Sequence, residues 1–182
     1  MSSPWDGPWL RRAKRAPSPF QDERPKGASV DLLVLHAISL PPEAFGSGEV
    51  PRFFQGKLDF SAHPYYERLR ELRVSAHFFL ERDGQIWQHV PVDRRAWHAG
   101  ISAWQGRERC NDFSVGIEIE GSETQPFAEA QYLALQSLIP DLWRYFPLLD
   151  RRAITGHSDI APGRKWDPGP HFDWPRLWQG LS

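Results

Sequence analysis

The sequence predicts a single α/β domain, and three stretches carry that expectation. "DLLVLHAIS" (31–39) is an unbroken apolar run of the kind that forms a strand buried on both faces. "SVGIEIEG" (114–121) alternates strictly, with Val115, Ile117 and Ile119 on one side and Gly116, Glu118 and Glu120 on the other. "FAEAQYLALQSLIPDLWRYF" (127–146) carries a 3.6-residue apolar rhythm through Ala130, Leu133, Ile139, Leu142 and Phe146. Strands interspersed with helices make a mixed α/β layer arrangement.

The elements follow in order. Residues 1–28 are rich in Pro and Arg and lack periodicity, so they read as an N-terminal arm laid over the core or partly mobile, with the domain proper at 29–182. After the first strand comes a loop with a short helix (40–58), then "PYYERLREL" (64–72), a helical pattern opened by Pro64. "VSAHFFLERDGQIWQHVPV" (74–92) places two strand-like runs around Asp83-Gly84, a tight-turn dipeptide. A long Trp-, Gly- and Arg-rich loop (94–112) leads into the alternating strand. Pro140 should kink or divide the main helix. "TGHSDIAPGRKWDPGP" (155–170) reads as a rigid loop that is neither helix nor strand, and "FDWPRLW" (172–178) as a terminal helix with Pro175 in its first turn.

Composition narrows the function. The 182 residues suit one domain with a real core, and 40% apolar content argues against disorder. With 22 basic and 23 acidic residues there is no broad electrostatic footprint for nucleic acid or an anionic membrane. A lone cysteine, Cys110, excludes an internal disulfide framework and fits a reducing compartment. The first twenty residues lack an apolar run of a secretory signal, and no stretch approaches a membrane span, so a soluble cytoplasmic protein is expected.

Among seven histidines, most are expected to be structural. His36 stands out because it ends a wholly apolar strand, where α/β sheets place ligands. His157 and Asp167 lie among small or rigid residues in the 155–170 loop. A catalytic zinc site uses three N, O or S ligands and leaves one position open. His36, His157 and Asp167 make such a set, and Asp159 and His171 are rivals that spacing does not exclude. Glu118, like Glu120, reads either as one more polar residue on a strand's solvent face or, if that face is an active-site floor, as a base. Lys165 is either a solvated charge or a cation for a developing oxyanion. Arg73 and Arg109 are surface charges or forks for a substrate carboxylate. "HExxH" is absent, which weakens a general zinc peptidase.

Five blocks, "LLVLHAISLPP", "RVSAHFFLERDGQIWQHVP", "RAWHAG", "GRERCNDFSVGIEIEG" and "TGHSDIAPGRKWDPGP", occur in order along nearly the whole chain. Together they resemble the zinc N-acetylmuramoyl-L-alanine amidases, and among them the cytoplasmic AmpD-type enzymes of peptidoglycan recycling. The resemblance implies a mixed sheet flanked by helices, with a zinc site in a surface groove. It implies Zn²⁺ on His36, His157 and Asp167, with Asp159 and His171 not ligands, Glu118 as the acid/base and Lys165 as the oxyanion-stabilising cation. It implies 1,6-anhydro-N-acetylmuramyl peptides as substrate, cut between the lactyl carbonyl and L-alanine, with Arg73 and Arg109 holding acidic groups of the stem peptide. A monomer acting without nucleic acid or membrane is expected. Three positions depart from the family's pattern: Ala37 where asparagine is frequent, Ser158 where cysteine is common, and Trp166 in place of threonine. Relatives of this fold that bind peptidoglycan without cutting it lack a ligand or the catalytic acid, and this chain keeps both.

Overall fold

A six-stranded mixed sheet forms the middle layer of the computed structural model, which describes residues 2–181. Its strands are β1 (Lys14–Arg15), β2 (Leu32–Ile38), β3 (Phe78–Leu80), β4 (Ile86–Gln88), β5 (Ser114–Glu120) and β6 (Ile154–Gly156), in the spatial order β6-β2-β5-β3-β4-β1. β6, β2, β5 and β3 run parallel, β4 turns back on β3 as an antiparallel hairpin, and β1 lies parallel to β4. The hairpin turn is where Asp83-Gly84 predicts it. Gly84 sits at φ 87°, a conformation that suits glycine, and a Cβ there would stand 2.8 Å from the carbonyl of Ala130.

The central strands are the two whose sequences are most apolar. Leu33, Leu35, Val115, Ile117 and Ile119 point into the main core, while Leu32 and Val34 pack on the opposite face with Ala99, Cys110 and Ile160. Among the described residues, four α-helices complete the layers: α1 (Glu49–Phe54), α2 (Glu129–Tyr145), α3 (His157–Ile160) and α4 (Trp174–Gln179). α2 covers the main core with Leu135, Leu138, Ile139 and Leu142, all fully buried. Each such side chain stabilises the fold by roughly 1.5–3 kcal/mol. α1 and a 3-10 turn over Pro64–Leu69 cover a second cluster built on Phe53, Phe54, Tyr66, Leu69 and Phe79.

Three local expectations need correction. The buried stripe of α2 runs through Tyr132, Leu135, Leu138 and Leu142, whereas Leu133 is 57% exposed, because packing against α4 and the sheet fixes which side turns inward. α2 is not divided at Pro140, which lies on its partly exposed side, where losing one helical N–H costs least. The 155–170 stretch is not wholly irregular either: Thr155 and Gly156 end β6, and His157–Ile160 form one helical turn.

Near the N-terminus, Trp5, Leu10 and Ala13 belong to the main core, and Gln21–Asp22 pairs antiparallel with Arg95–Ala96. The buried Arg24 guanidinium donates to the carbonyls of Val92, Asn111, Asp112 and Ser114. Met1 and Ser182, the outer limits of the two expected segments, lie outside the described residues.

Candidate metal centre

Parallel pairing lines up the chemistry. In the register of β2 and β5, Glu118 stands opposite His36, and in that of β6 and β2, Gly156 stands opposite Leu35. The next residue, His157, therefore leaves the sheet level with His36. Three reactive residues so occupy one row across three neighbouring strands, at the carboxyl edge of the parallel part.

Asp167 joins them from the loop. Its carbonyl accepts from the Ser158 N–H at 2.9 Å, which folds the segment back on α3. The Pro168 ring lies against Gly156, where a Cβ would approach its Cδ to 2.8 Å. His36 Nδ1 and His157 Nδ1 are 2.9 Å apart, and Asp167 Oδ2 lies 3.2 Å from the first and 3.1 Å from the second. All three side chains are buried. Among the described residues this is the cluster of three His, Cys, Asp or Glu that could hold a metal ion.

The donor set fits a small cation. His157 Nε2 faces the Ala99 carbonyl at 3.1 Å, so its proton belongs there and its Nδ1 turns a lone pair to the cluster. Burial lowers the His36 pKa to about 4, with the bond to Asp167 acting in the opposite sense, so the ring is neutral at pH 7. For Asp167, burial acts upward but hydrogen bonds with His157 and His36 outweigh it, holding the carboxyl well below its usual range. Two imidazole nitrogens and one carboxylate oxygen converge within hydrogen-bond distance, a donor set of the kind that holds a cation. The spacing is close to the ligand-to-ligand separation of about 3.3 Å that tetrahedral zinc with N and O ligands would set.

Glu118 Oε1 lies 4.0 Å from His36 Nδ1, and Oε2 is buried without a hydrogen-bond partner among the described residues. Burial, then the Asp167 charge, push its pKa well above the ordinary carboxyl value, while Lys165 pulls it down. These residues floor a groove of about 470 Å³. Leu40, Phe53, Tyr65 and Trp97 line it on an apolar side, and Lys165 and Trp166 stand beside the cluster. Trp166 is 40% exposed. Glu120, the next inward-facing acid along β5, is buried: it accepts the N–H groups of Gly46 and Arg82, at 2.6 and 3.0 Å, tying two loops to the strand.

The remaining expected residues lie elsewhere. Asp159 Oδ2 is taken by the Thr155 hydroxyl at 2.7 Å and the Gly156 N–H at 2.9 Å, as a cap on α3, and His171 is exposed outside the cluster. Arg73 donates to the carbonyls of Arg70 and Leu72 beside a depression bounded by Phe20 and Phe53. Arg109 pairs with Asp112 at 3.4 Å and borders a separate depression with Ile101 and Arg164. Sequence reading gave no role to His98 or Asn111. His98 is buried with its Nδ1 2.9 Å from His36 Nε2, and no local pattern marks it in the sequence.

Fold and site together define an α/β protein with a candidate metal centre in a surface groove. Residues 26–170 match the N-acetylmuramoyl-L-alanine amidase family. The chain belongs to that family and is an amidase, a hydrolase of amide bonds. It is 52% identical over 167 residues to the 1,6-anhydro-N-acetylmuramyl-L-alanine amidase AmpD of Haemophilus influenzae, covering 92% of this chain and 91% of the relative. The crystal structure of a selenomethionine AmpD derivative superposes with a TM-score of 0.94 at 50% identity, covering 97% of this chain and 98% of that one. The Escherichia coli amidase AmiD, in complex with the substrate anhydro-N-acetylmuramic acid-L-Ala-D-γ-Glu-L-Lys, superposes at 0.62 with 32% identity, over 87% of this chain and 60% of that one.

Proposed function

We propose that this chain is a zinc-dependent amidase that cuts the bond between the lactyl carbonyl of 1,6-anhydro-N-acetylmuramic acid and L-alanine, in cytoplasmic recycling of peptidoglycan. The observation that carries the reading is the buried convergence of His36, His157 and Asp167 beside the Glu118 carboxyl, in a groove of about 470 Å³. The 52% identity to AmpD of Haemophilus influenzae supports the anhydro-muropeptide as substrate. Cys110, buried and free, accords with a reducing compartment. Among the described residues no helix is long and apolar enough to cross a membrane, and the proposed enzyme works as a monomer on a small soluble substrate.

His36, His157 and Asp167 would hold the zinc. When bound, the ion supplies Lewis acidity and lowers the pKa of water, to about 7 in favourable sites. Glu118 takes the proton from the attacking water and returns it to the alanine nitrogen as the C–N bond breaks. Its raised pKa suits that task, because the carboxylate is a stronger base toward the water's proton and the carboxyl keeps that proton until the amine departs. The Lys165 ammonium faces the carbonyl oxygen as charge develops there. Arg73, between the groove residues Leu72 and Val74, is the proposed contact for an acidic group of the stem peptide. The same role for Arg109 rests on the family resemblance alone.

The test is mass-spectrometric. Anhydro-N-acetylmuramyl tripeptide should yield free anhydro-sugar and free peptide, with chelation abolishing and zinc restoring the reaction. Glu118→Gln should keep its zinc while turnover falls about 10²–10⁴-fold. Undiminished cleavage in chelator, or a zinc-loaded protein that leaves the substrate intact, overturns the reading.

A further inference from the structure

The two ligand imidazoles are held from behind by consecutive residues. A neutral imidazole has one N–H. If both Nδ1 atoms offer lone pairs to a cation, both protons sit on Nε2 and need acceptors. For His157 the acceptor is the Ala99 carbonyl at 3.1 Å. For His36 it is Nδ1 of His98 at 2.9 Å. That nitrogen accepts only when the proton of His98 is on its own Nε2, and Ser114 Oγ stands 3.1 Å from Nε2 to receive it.

The segment is fixed in turn. Asn111 Oδ1 accepts the backbone N–H of His98 at 3.1 Å and of Ala99 at 2.8 Å. The His98 ring rests on Gly116, where a Cβ would stand 2.5 Å from its Cγ. Gly116 cannot retreat freely, because its N–H donates to His77 Nδ1 and its carbonyl accepts from the His77 N–H. Arg164 also donates to the Ala99 carbonyl, at 2.7 Å, using its second lone pair.

We propose that His98 and Asn111 are positioning residues for the cation: together they present two acceptors, one side chain and one carbonyl, that set the tautomer and angle of both ligand histidines. The inference rests on the zinc reading above and adds to it. Partners of this kind fix ring orientation in metal sites, and removing one weakens metal binding by about 10–100-fold.

The experiment measures Zn²⁺ affinity by competition with a chromophoric chelator, independent of amidase turnover. His98→Phe keeps a flat ring over Gly116 but offers no acceptor, and Asn111→Leu keeps the volume but loses both backbone contacts. Each should bind zinc about 10–100-fold more weakly. His98→Asn and Asn111→Asp, which restore an oxygen near the lost acceptor, should recover most of the affinity. In the zinc-loaded wild type, ¹⁵N NMR should find His98 protonated on Nε2 alone. Wild-type affinity in both His98→Phe and Asn111→Leu, or a His98 protonated on Nδ1, overturns the inference while leaving the zinc reading intact. Loss of affinity without rescue in the conservative variants overturns it too, since that marks a merely structural role. A wild type that binds no zinc overturns both.

Discussion

His89 should make the protein acid-labile in a way one substitution can isolate. It follows β4, is fully buried, and donates from Nδ1 to the Ala16 carbonyl at 2.7 Å, while Nε2 has no partner among the described residues. Burial lowers its pKa from 6.5 to about 4, offset in part by the carbonyl contact. Between those values the unfolded chain binds a proton that the folded chain refuses. The stabilisation is therefore present above pH 6.5 and is lost as pH falls. At 1.36 kcal/mol per unit, the loss is about 2 kcal/mol at pH 5 and about 3 kcal/mol at pH 4, approaching about 3.4 kcal/mol below pH 3. His89→Phe removes the titration and retains the stacking against Trp87 and Phe54, but leaves the Ala16 carbonyl short of a donor, at a cost of about 1–3 kcal/mol. With a cost near 1.5 kcal/mol the variant is less stable at pH 7, and the two curves cross at roughly pH 5.4. Urea unfolding followed by circular dichroism, with chelator in both samples, measures this between pH 4 and 8. Stability curves that stay parallel, with no slope difference near 1.36 kcal/mol per pH unit, would refute the argument. His77, lowered by burial to about 3, keeps its own slope in both proteins and cancels.

Three further outcomes are expected. Gly156→Ala sets a Cβ against Pro168 and pushes Asp167 off its aim; since ligands tolerate only about ±0.2 Å, zinc affinity should fall at least tenfold in a folded protein, as chelator competition would detect. Glu120→Ala removes the carboxylate that accepts the N–H groups of Gly46 and Arg82 and should destabilise by about 1–3 kcal/mol, read as a lowered urea midpoint with an unchanged m value. Trp166→Thr removes an indole that packs on Gly169 and borders the groove; KM for the muropeptide should rise several-fold while kcat stays within about twofold, and a change in kcat alone would mean the indole acts on chemistry instead of binding.

The parts of the fold that periodicity encodes were legible. The apolar run at Leu32–Ile38, the alternation at Ser114–Glu120 and the Asp83-Gly84 turn each stand where a strand or hairpin forms, because neighbouring residues alone decide them. The inward stripe of α2 was harder, since Leu133 and Leu135 look alike to any local rule and only contact with the sheet separates them. The same limit hid Glu120, whose surroundings come from two distant loops. His36 could be singled out because a polar residue in an apolar strand is costly unless used. His98 could not, because its role depends on a strand sixteen residues away and on the gap left by Gly116.

The sheet explains why so few residues suffice to assemble the centre. In adjacent parallel strands, residues at equal register lie about 4.8 Å apart on the same face. His157, His36 and Glu118 occupy such a row, so no loop has to search for their relative placement. Antiparallel neighbours would have sent one strand's end to the opposite edge, and a one-residue slip would have turned Glu118 into the core. Asp167 is the exception, reached only by chain that leaves the sheet, and there the glycine and prolines concentrate: Gly156 makes space, Pro168 fills it, and the Ser158 N–H locks the return. Rigidity is therefore placed where the register of the strands cannot supply it.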